Sequence, residues 1–262
     1  MPRRLIATTL MCFLAAETAC FAGGPAPVHY TWIIRGQKQD VYLIDGSPST
    51  ATPRPKILFV PGDGGWRGFA ITIAETMASW GNDVYALDTK RYLEGFSGKT
   101  SLTVPDVMKD FKSMAELIVK DKKESLTLVG WSEGAGLCLL TAAAPENKKS
   151  FNGLVTIGLG PVNILGWRLA DYLTYVTKKI PQEPRFQSAE YLPQVTPLPL
   201  WMIQSSHDDY VPVSTARDLF SAAKEPKRFE LIEANDHRFD GNTTDFFRAL
   251  RKGIEWIQSA TQ

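Results

Sequence analysis

Five consecutive residues, Gly130-Trp131-Ser132-Glu133-Gly134, have the types and spacing that make a serine hydroxyl reactive. A short apolar run, Leu126-Thr127-Leu128-Val129, precedes them, and small residues that can start a helix follow. In a strand–turn–helix context, G-x-S-x-G is a sharp turn that carries the serine at its tip. The chemistry would be nucleophilic attack by the Ser132 hydroxyl. A serine is a weak nucleophile without an adjacent base, so the chain must supply one.

Three histidines are available. His29 lies in an early strand and reads as a half-exposed strand residue. His207 stands just before an acidic pair. His237 follows the last apolar run, in Glu233-Ala234-Asn235-Asp236-His237-Arg238-Phe239. Loops after the carboxyl ends of parallel strands are where such sheets place their sites, which makes His237 the expected general base. The acid that orients it should follow the preceding strand, in Ser205-Ser206-His207-Asp208-Asp209. An aspartate there can fix the imidazole tautomer and stabilise the imidazolium. Asp208 and Asp209 both qualify, and either could instead only brace the following helix.

Charge that develops on a carbonyl oxygen needs two backbone N–H donors. Glu133, directly after the nucleophile, should supply one. The second should come from Pro61-Gly62-Asp63-Gly64-Gly65, from Asp63 or its neighbour Gly64, because glycines let a backbone approach substrate closely. The same glycines also suit an ordinary tight turn. The side chains of Asp63 and Glu133 have two readings each. Glu133 can complement a helix N-terminus and Asp63 can brace its own turn, or one of them could receive a substrate cation.

The elements needed to hold these residues are legible. Val28–Ile34 and Val41–Ile44 read as two short strands around Gly36. Lys56–Val60 is a continuous apolar run, as in a strand buried on both faces. A helix from about Phe69 to Trp80, a strand Val84–Leu87, and a helix capped by Thr103 with Pro105 in its first turn follow. Phe151–Gly158, Leu198–Gln204 and Lys227–Glu233 complete the strands, and a helix from about Thr244 to Ser259 closes the chain. Strands alternating with helices from Lys56 onward specify the α/β class, with a mostly parallel central sheet covered on both faces. Pro161–Pro197 interrupts the alternation. Its amphipathic stretch, Leu165, Leu169, Tyr172, Leu173 and Val176, is either a small cap or lid segment or an ordinary crossover helix.

The first 22 residues have the form of a signal peptide: Arg3-Arg4, an apolar stretch from Leu5 to Ala16, and small residues before Gly23. The apolar stretch is short against the about 20 residues that span a bilayer. Residues 23–262 are then expected to form one domain, exported to the periplasm or, alternatively, secreted. Of the three cysteines, Cys12 and Cys20 leave with residues 1–22, so Cys138 alone remains and reads as a small core residue. The formal charge of +1 falls to zero when Arg3, Arg4 and Glu17 are removed. That balance calls for no nucleic-acid partner. The sequence has no Cys/His cluster with zinc spacing, and neither a metal nor a cofactor is expected.

Several segments together resemble the VirJ/AcvB virulence-protein family of bacterial α/β-hydrolases. They are Gly62-Asp63-Gly64-Gly65-Trp66-Arg67, Leu87-Asp88-Thr89-Lys90-Arg91-Tyr92-Leu93, Gly130-Trp131-Ser132-Glu133-Gly134-Ala135, and Asn235-Asp236-His237-Arg238-Phe239. The resemblance runs over about residues 56 to 258. The order Ser132, acid, His237 is that of an α/β-hydrolase. Many such hydrolases carry the acid three residues before a Val-Pro pair, which favours Asp208 over Asp209. The resemblance implies a periplasmic enzyme that hydrolyses the aminoacyl ester of lysyl-phosphatidylglycerol, with a link to virulence or secretion. It makes Arg91 a candidate for a lipid phosphate and Tyr92 a candidate pocket wall, the alternative being a salt-bridged arginine and a packed tyrosine at a strand end. Trp66 and Trp131, in the same motifs, are further candidate substrate contacts. Glu133 departs from the family's elbow, where an aromatic residue is usual, and this leaves the substrate open. The expected partner is a small-molecule or lipid ester at the membrane surface. Rival readings are a secretion-accessory or binding protein on a hydrolase fold, with a secretion-system partner, and a general carboxylesterase or peptidase.

Overall fold

Apolar runs that the sequence cannot leave in water become the strands of one large sheet. The computed structural model describes residues 26–46, 55–97, 101–121, 124, 126–166 and 183–260. In chain order the strands are β1 (Val28–Ile34), β2 (Gln37–Ile44), β3 (Lys56–Val60), β4 (Asp83–Leu87), β5 (Leu126–Trp131), β6 (Phe151–Ile157), β7 (Val162–Ile164), β8 (Arg185–Gln187), β9 (Leu200–Ser205) and β10 (Lys227–Ile232). Eight of them form a sheet in the order β1-β2-β4-β3-β5-β6-β9-β10. From β4 to β10 every pairing is parallel, while β1 and β2 add an antiparallel hairpin at one edge. Ile57, Leu58, Phe59 and Val60 are all fully buried, as a strand covered on both faces requires.

The helices are α1 (Phe69–Ser79), α2 (Thr89–Gly95), α3 (Val104–Ile118), α4 (Glu133–Ala143), α5 (Ser188–Tyr191), α6 (Val213–Ala222) and α7 (Thr243–Ser259). One face of the sheet packs residues of α1 and α7, such as Ile73, Met77, Phe246 and Leu250, over Ile57, Phe59 and Val129. The other packs α3, α4 and α6, with Phe111, Met114, Leu137 and Leu219, over Leu58, Leu128 and Leu154. The start of α3 is a full capping box. Thr103 Oγ1 accepts from the Asp106 amide, and the Asp106 carboxylate accepts from the Thr103 amide. Among the described residues no helix is long and apolar enough to cross a membrane.

Two elements differ from what the sequence suggested. After β4 the sequence suggested no helix, yet the chain turns at Asp88, whose side chain caps α2 by accepting from the Arg91 amide at 3.1 Å. Seven residues are too few to show helical periodicity. In the Pro161–Pro197 region the described parts form the antiparallel pair β7–β8, followed by α5. Asn163 anchors this hairpin by donating to Ser188 Oγ at 2.7 Å. A Cβ on Gly136 of α4 would stand 2.3 Å from Asn163 Oδ1, so the hairpin lies directly on that helix. Most of the amphipathic stretch falls in 167–182, outside the described residues, as does the expected signal segment.

Candidate active site

The carboxyl ends of β3, β5, β6, β9 and β10 lie along one edge of the sheet, and the candidate residues follow those ends. Ser132 sits between β5 and α4 with φ 57° and ψ −125°, a conformation that non-glycine residues rarely adopt. Holding it costs of order 1–3 kcal/mol, which the surrounding packing must offset. The turn is this sharp because its glycines permit it. A Cβ on Gly134 would stand 2.0 Å from the Val60 carbonyl oxygen, and one on Gly130 would stand 2.5 Å from Ala135 Cα. The Ser132 amide donates to the Ile157 carbonyl at 2.9 Å, tying the turn to the end of β6.

The loop after β3 passes against the serine. A Cβ built on Gly62 would lie 3.1 Å from Ser132 Cβ and 3.7 Å from its Oγ. Asp63 and Gly64 are therefore the next residues along the chain from a point of contact with Ser132. Glu133 is the first residue of α4, where the leading amides lack partners inside the helix.

His237 and Asp208 meet. The ring Nδ1 lies 2.7 Å from Asp208 Oδ2, and the two side chains are only 9% and 1% exposed. Asp208 Oδ1 accepts from the amides of Tyr210 and Val211, each at 2.9 Å, and Gln204 Nε2 donates to Oδ2 at 3.0 Å. Burial works to raise the Asp208 carboxyl, but the hydrogen bond and charge of His237 and the two amides outweigh it and hold the group below its ordinary value. An ionised Asp208 can only accept, so Nδ1 is the donor, and in the neutral imidazole the lone pair is then on Nε2. That Nε2 is buried and has no hydrogen-bond partner among the described residues. Asp209, the other sequence candidate, is exposed.

Glu133 does not behave as a simple helix-start anion. Its Oε1 accepts from the Ile164 amide of β7 at 2.5 Å. Burial first, and the charge of Asp63 second, push its carboxyl up to about 8, with the Ile164 amide pulling the other way. A carboxyl raised in this way opposes a developing oxyanion less than an ordinary glutamate would, and is poorly suited to hold a cation.

The four candidate substrate contacts lie in different surroundings. Tyr92 is fully buried, donates to Asp110 Oδ2 at 2.8 Å, and packs against Phe96 and Phe111. Asp110 also receives Arg35 Nε, so Tyr92 belongs to a buried network that fastens the β1–β2 hairpin to α3 rather than to a pocket wall. Trp66 stacks on Tyr42, which stacks on His29. Trp131 turns its indole onto His237 and onto the edge of Phe69. Arg91 is half exposed, 3.8 Å from Asp40. His207 is exposed beside Ser206 and Glu233 and takes no part in the Asp208–His237 pair.

Sequence reasoning missed Gly158 and Gln204. A Cβ on Gly158, which has φ +60°, would stand 2.5 Å from His237 Cε1. The signal was a glycine directly after an apolar strand. For Gln204 it was an amide at the end of an otherwise apolar buried strand, which must find partners.

A family model for the bacterial virulence protein VirJ matches residues 56–179. Over those residues, just under half of its length, the chain is similar to the VirJ family. The matched stretch includes the Gly62–Trp66 loop, the Arg91-Tyr92 segment and the Ser132 elbow. The uncharacterised protein YfhR of Escherichia coli K12 is 31% identical over 104 residues, 37% of this chain. The match spans little more than a third of that relative, 36% of its length. Among solved structures, the α/β hydrolase GrgF from Penicillium sp. sh18 superposes with a TM-score of 0.66 at 14% identity, over 90% of this chain and 98% of that one. Est1E from Butyrivibrio proteoclasticus gives 0.65 at 14% identity, over 90% and 100%. These likenesses show the α/β-hydrolase fold.

Proposed function

We propose that this chain, similar to the VirJ family over 56–179, is an exported serine hydrolase that cleaves an ester, by resemblance the lysyl ester of lysyl-phosphatidylglycerol. The observation that carries the hydrolase reading is the strained Ser132 turn, tied to the end of β6, which also adjoins an imidazole whose Nδ1 is held by Asp208 and whose Nε2 has no partner among the described residues. In this mechanism Ser132 Oγ attacks the ester carbonyl as His237 Nε2 takes its proton. Asp208 holds the tautomer and balances the imidazolium. The Glu133 amide and one from Asp63 or Gly64 receive the oxyanion. His237 then returns the proton to the leaving alcohol, giving an acyl-enzyme. Water, deprotonated by the same histidine, releases the acid and restores Ser132.

The lipid substrate, the periplasmic site and a contribution to virulence rest on the resemblance and the family match. The test compares hydrolysis of lysyl-phosphatidylglycerol with that of short acyl esters, for the wild type and Ser132→Ala. Lysine release lost in the variant supports the full reading. Turnover of short esters alone leaves a general carboxylesterase. Turnover unchanged by Ser132→Ala overturns the mechanism.

A further inference from the structure

His237 is confined on more sides than its bond to Asp208 explains. The Trp131 indole lies along one face of the imidazole, with ring centroids 5.9 Å apart and planes 25° from parallel. Tyr210 meets the ring edge-on, at 5.3 Å and 78°. Gly158 underlies Cε1 at a distance that admits no side chain.

Trp131 is a costly residue for simple packing. Its indole N–H is buried and has no partner among the described residues, whereas a buried tryptophan ordinarily finds one. A leucine would keep an apolar contact with Phe69 without stranding a donor. What leucine cannot supply is an aromatic face. Such a face favours a cation within about 6 Å of its centroid, and the imidazole becomes a cation when it takes the serine proton.

We infer that Trp131 is a positioning residue that acts through His237: its indole sets the plane of the imidazole and stabilises the imidazolium formed during attack. This rests on the reading of His237 as the general base. The contribution appears in the transition state rather than in substrate binding. It therefore falls on kcat and on the rate of acylation, not on KM.

The test uses the full chain with p-nitrophenyl acetate, so it does not depend on the lipid substrate. Trp131→Leu should lower kcat about tenfold with KM within about twofold, and Trp131→Phe, which keeps an aromatic face, should recover most of the loss. Labelling by a fluorophosphonate should slow in parallel. NMR of the wild type supplies a readout independent of any variant's folding. The chain has three histidines, and the ring protons of His237, assigned with His237→Asn, should lie upfield of their denatured positions because the indole current shields them. Their absence from that position overturns the stack. Equal losses in Trp131→Phe and Trp131→Leu, or an unchanged kcat in Trp131→Leu, overturn the role of the aromatic face. His237→Ala separates the two readings: if it retains activity, the base assignment fails. If it abolishes activity while Trp131→Leu does not, only the inference about Trp131 fails.

Discussion

Gly158 makes the place that His237 occupies. A Cβ at this position would stand 2.5 Å from Cε1 and 3.0 Å from Nδ1 of the imidazole. The glycine follows β6, whose last residue, Ile157, accepts the Ser132 amide, so one strand end adjoins both the candidate nucleophile and the candidate base. Gly158→Ala must push the ring away from that end. Misplacing a reacting group by about 1 Å can cost on the order of 100-fold, and that loss in kcat is expected here. The positive φ adds roughly 1 kcal/mol of destabilisation. Ester turnover and thermal unfolding separate the two effects, and an unchanged kcat would show that the ring does not use this slot.

Asp208 and Asp209 are adjacent in sequence but opposite in environment. Asp208 is enclosed by His237, Gln204 and two amides, whereas Asp209 faces solvent. Asp208→Asn places an amide where an acceptor is needed and favours the wrong imidazole tautomer, for an expected loss of roughly 10³–10⁴-fold in kcat. Asp209→Asn should stay within about twofold of wild type, as exposed substitutions usually do. Comparable losses in both variants would contradict the assignment of the acid.

Much of this arrangement is legible in the sequence, because strand ends are marked by changes in residue type. Ile57–Val60 reads as a buried strand, and its Gly-rich continuation as a close-approaching loop or a tight turn. Ser132, the acidic pair and His237 follow three such strands. What stayed hidden depends on contacts between distant residues. Tyr92 and Arg91 are neighbours in one motif, yet one points at Asp110 in the core and the other at the surface beside Asp40. No local pattern separates them, since α2 is too short to show a buried side. Glu133 likewise looked like a helix-start anion. Its environment is set by Ile164 and Asp63, 31 residues later in the case of Ile164, and the packing of the hairpin on α4 is a tertiary fact.

Glu133 gives a pH prediction with a definite sign. Its carboxyl is raised from the ordinary 4.5 to about 8 in the folded chain, by burial and then by the charge of Asp63. Between those values the folded protein holds a proton that the unfolded chain has lost. The stabilisation is complete below pH 4.5 and is lost as pH rises through 8. Glu133→Gln is neutral throughout and can still accept from Ile164. Its melting temperature should match wild type near pH 4 and exceed it increasingly up to about pH 8, at about 2–4 °C per kcal/mol for a chain of this size. Thermal melts across that range check it. A gap that shrinks with rising pH would mean that Glu133 is anionic in the folded protein, the state a cation-binding role requires.

Tyr92 separates packing from substrate contact. Its hydroxyl donates to Asp110 Oδ2 at 2.8 Å, while Arg35 Nε spans both oxygens at 2.9 and 3.0 Å. Tyr92→Phe removes one donor from a buried carboxylate and leaves the ring contacts with Phe96 and Phe111 in place. A hydrogen bond to a charged group contributes about 1.5–3 kcal/mol, and the retained Arg35 pair should keep the loss near the low end of that range. The expected result is a lower melting temperature with kcat and KM unchanged per folded molecule. Asp110→Ala should destabilise through the same network, and the double variant should cost less than the sum of the two, because both remove the Tyr92–Asp110 bond. A rise in KM for Tyr92→Phe without a loss of stability would instead return the phenol to the substrate pocket.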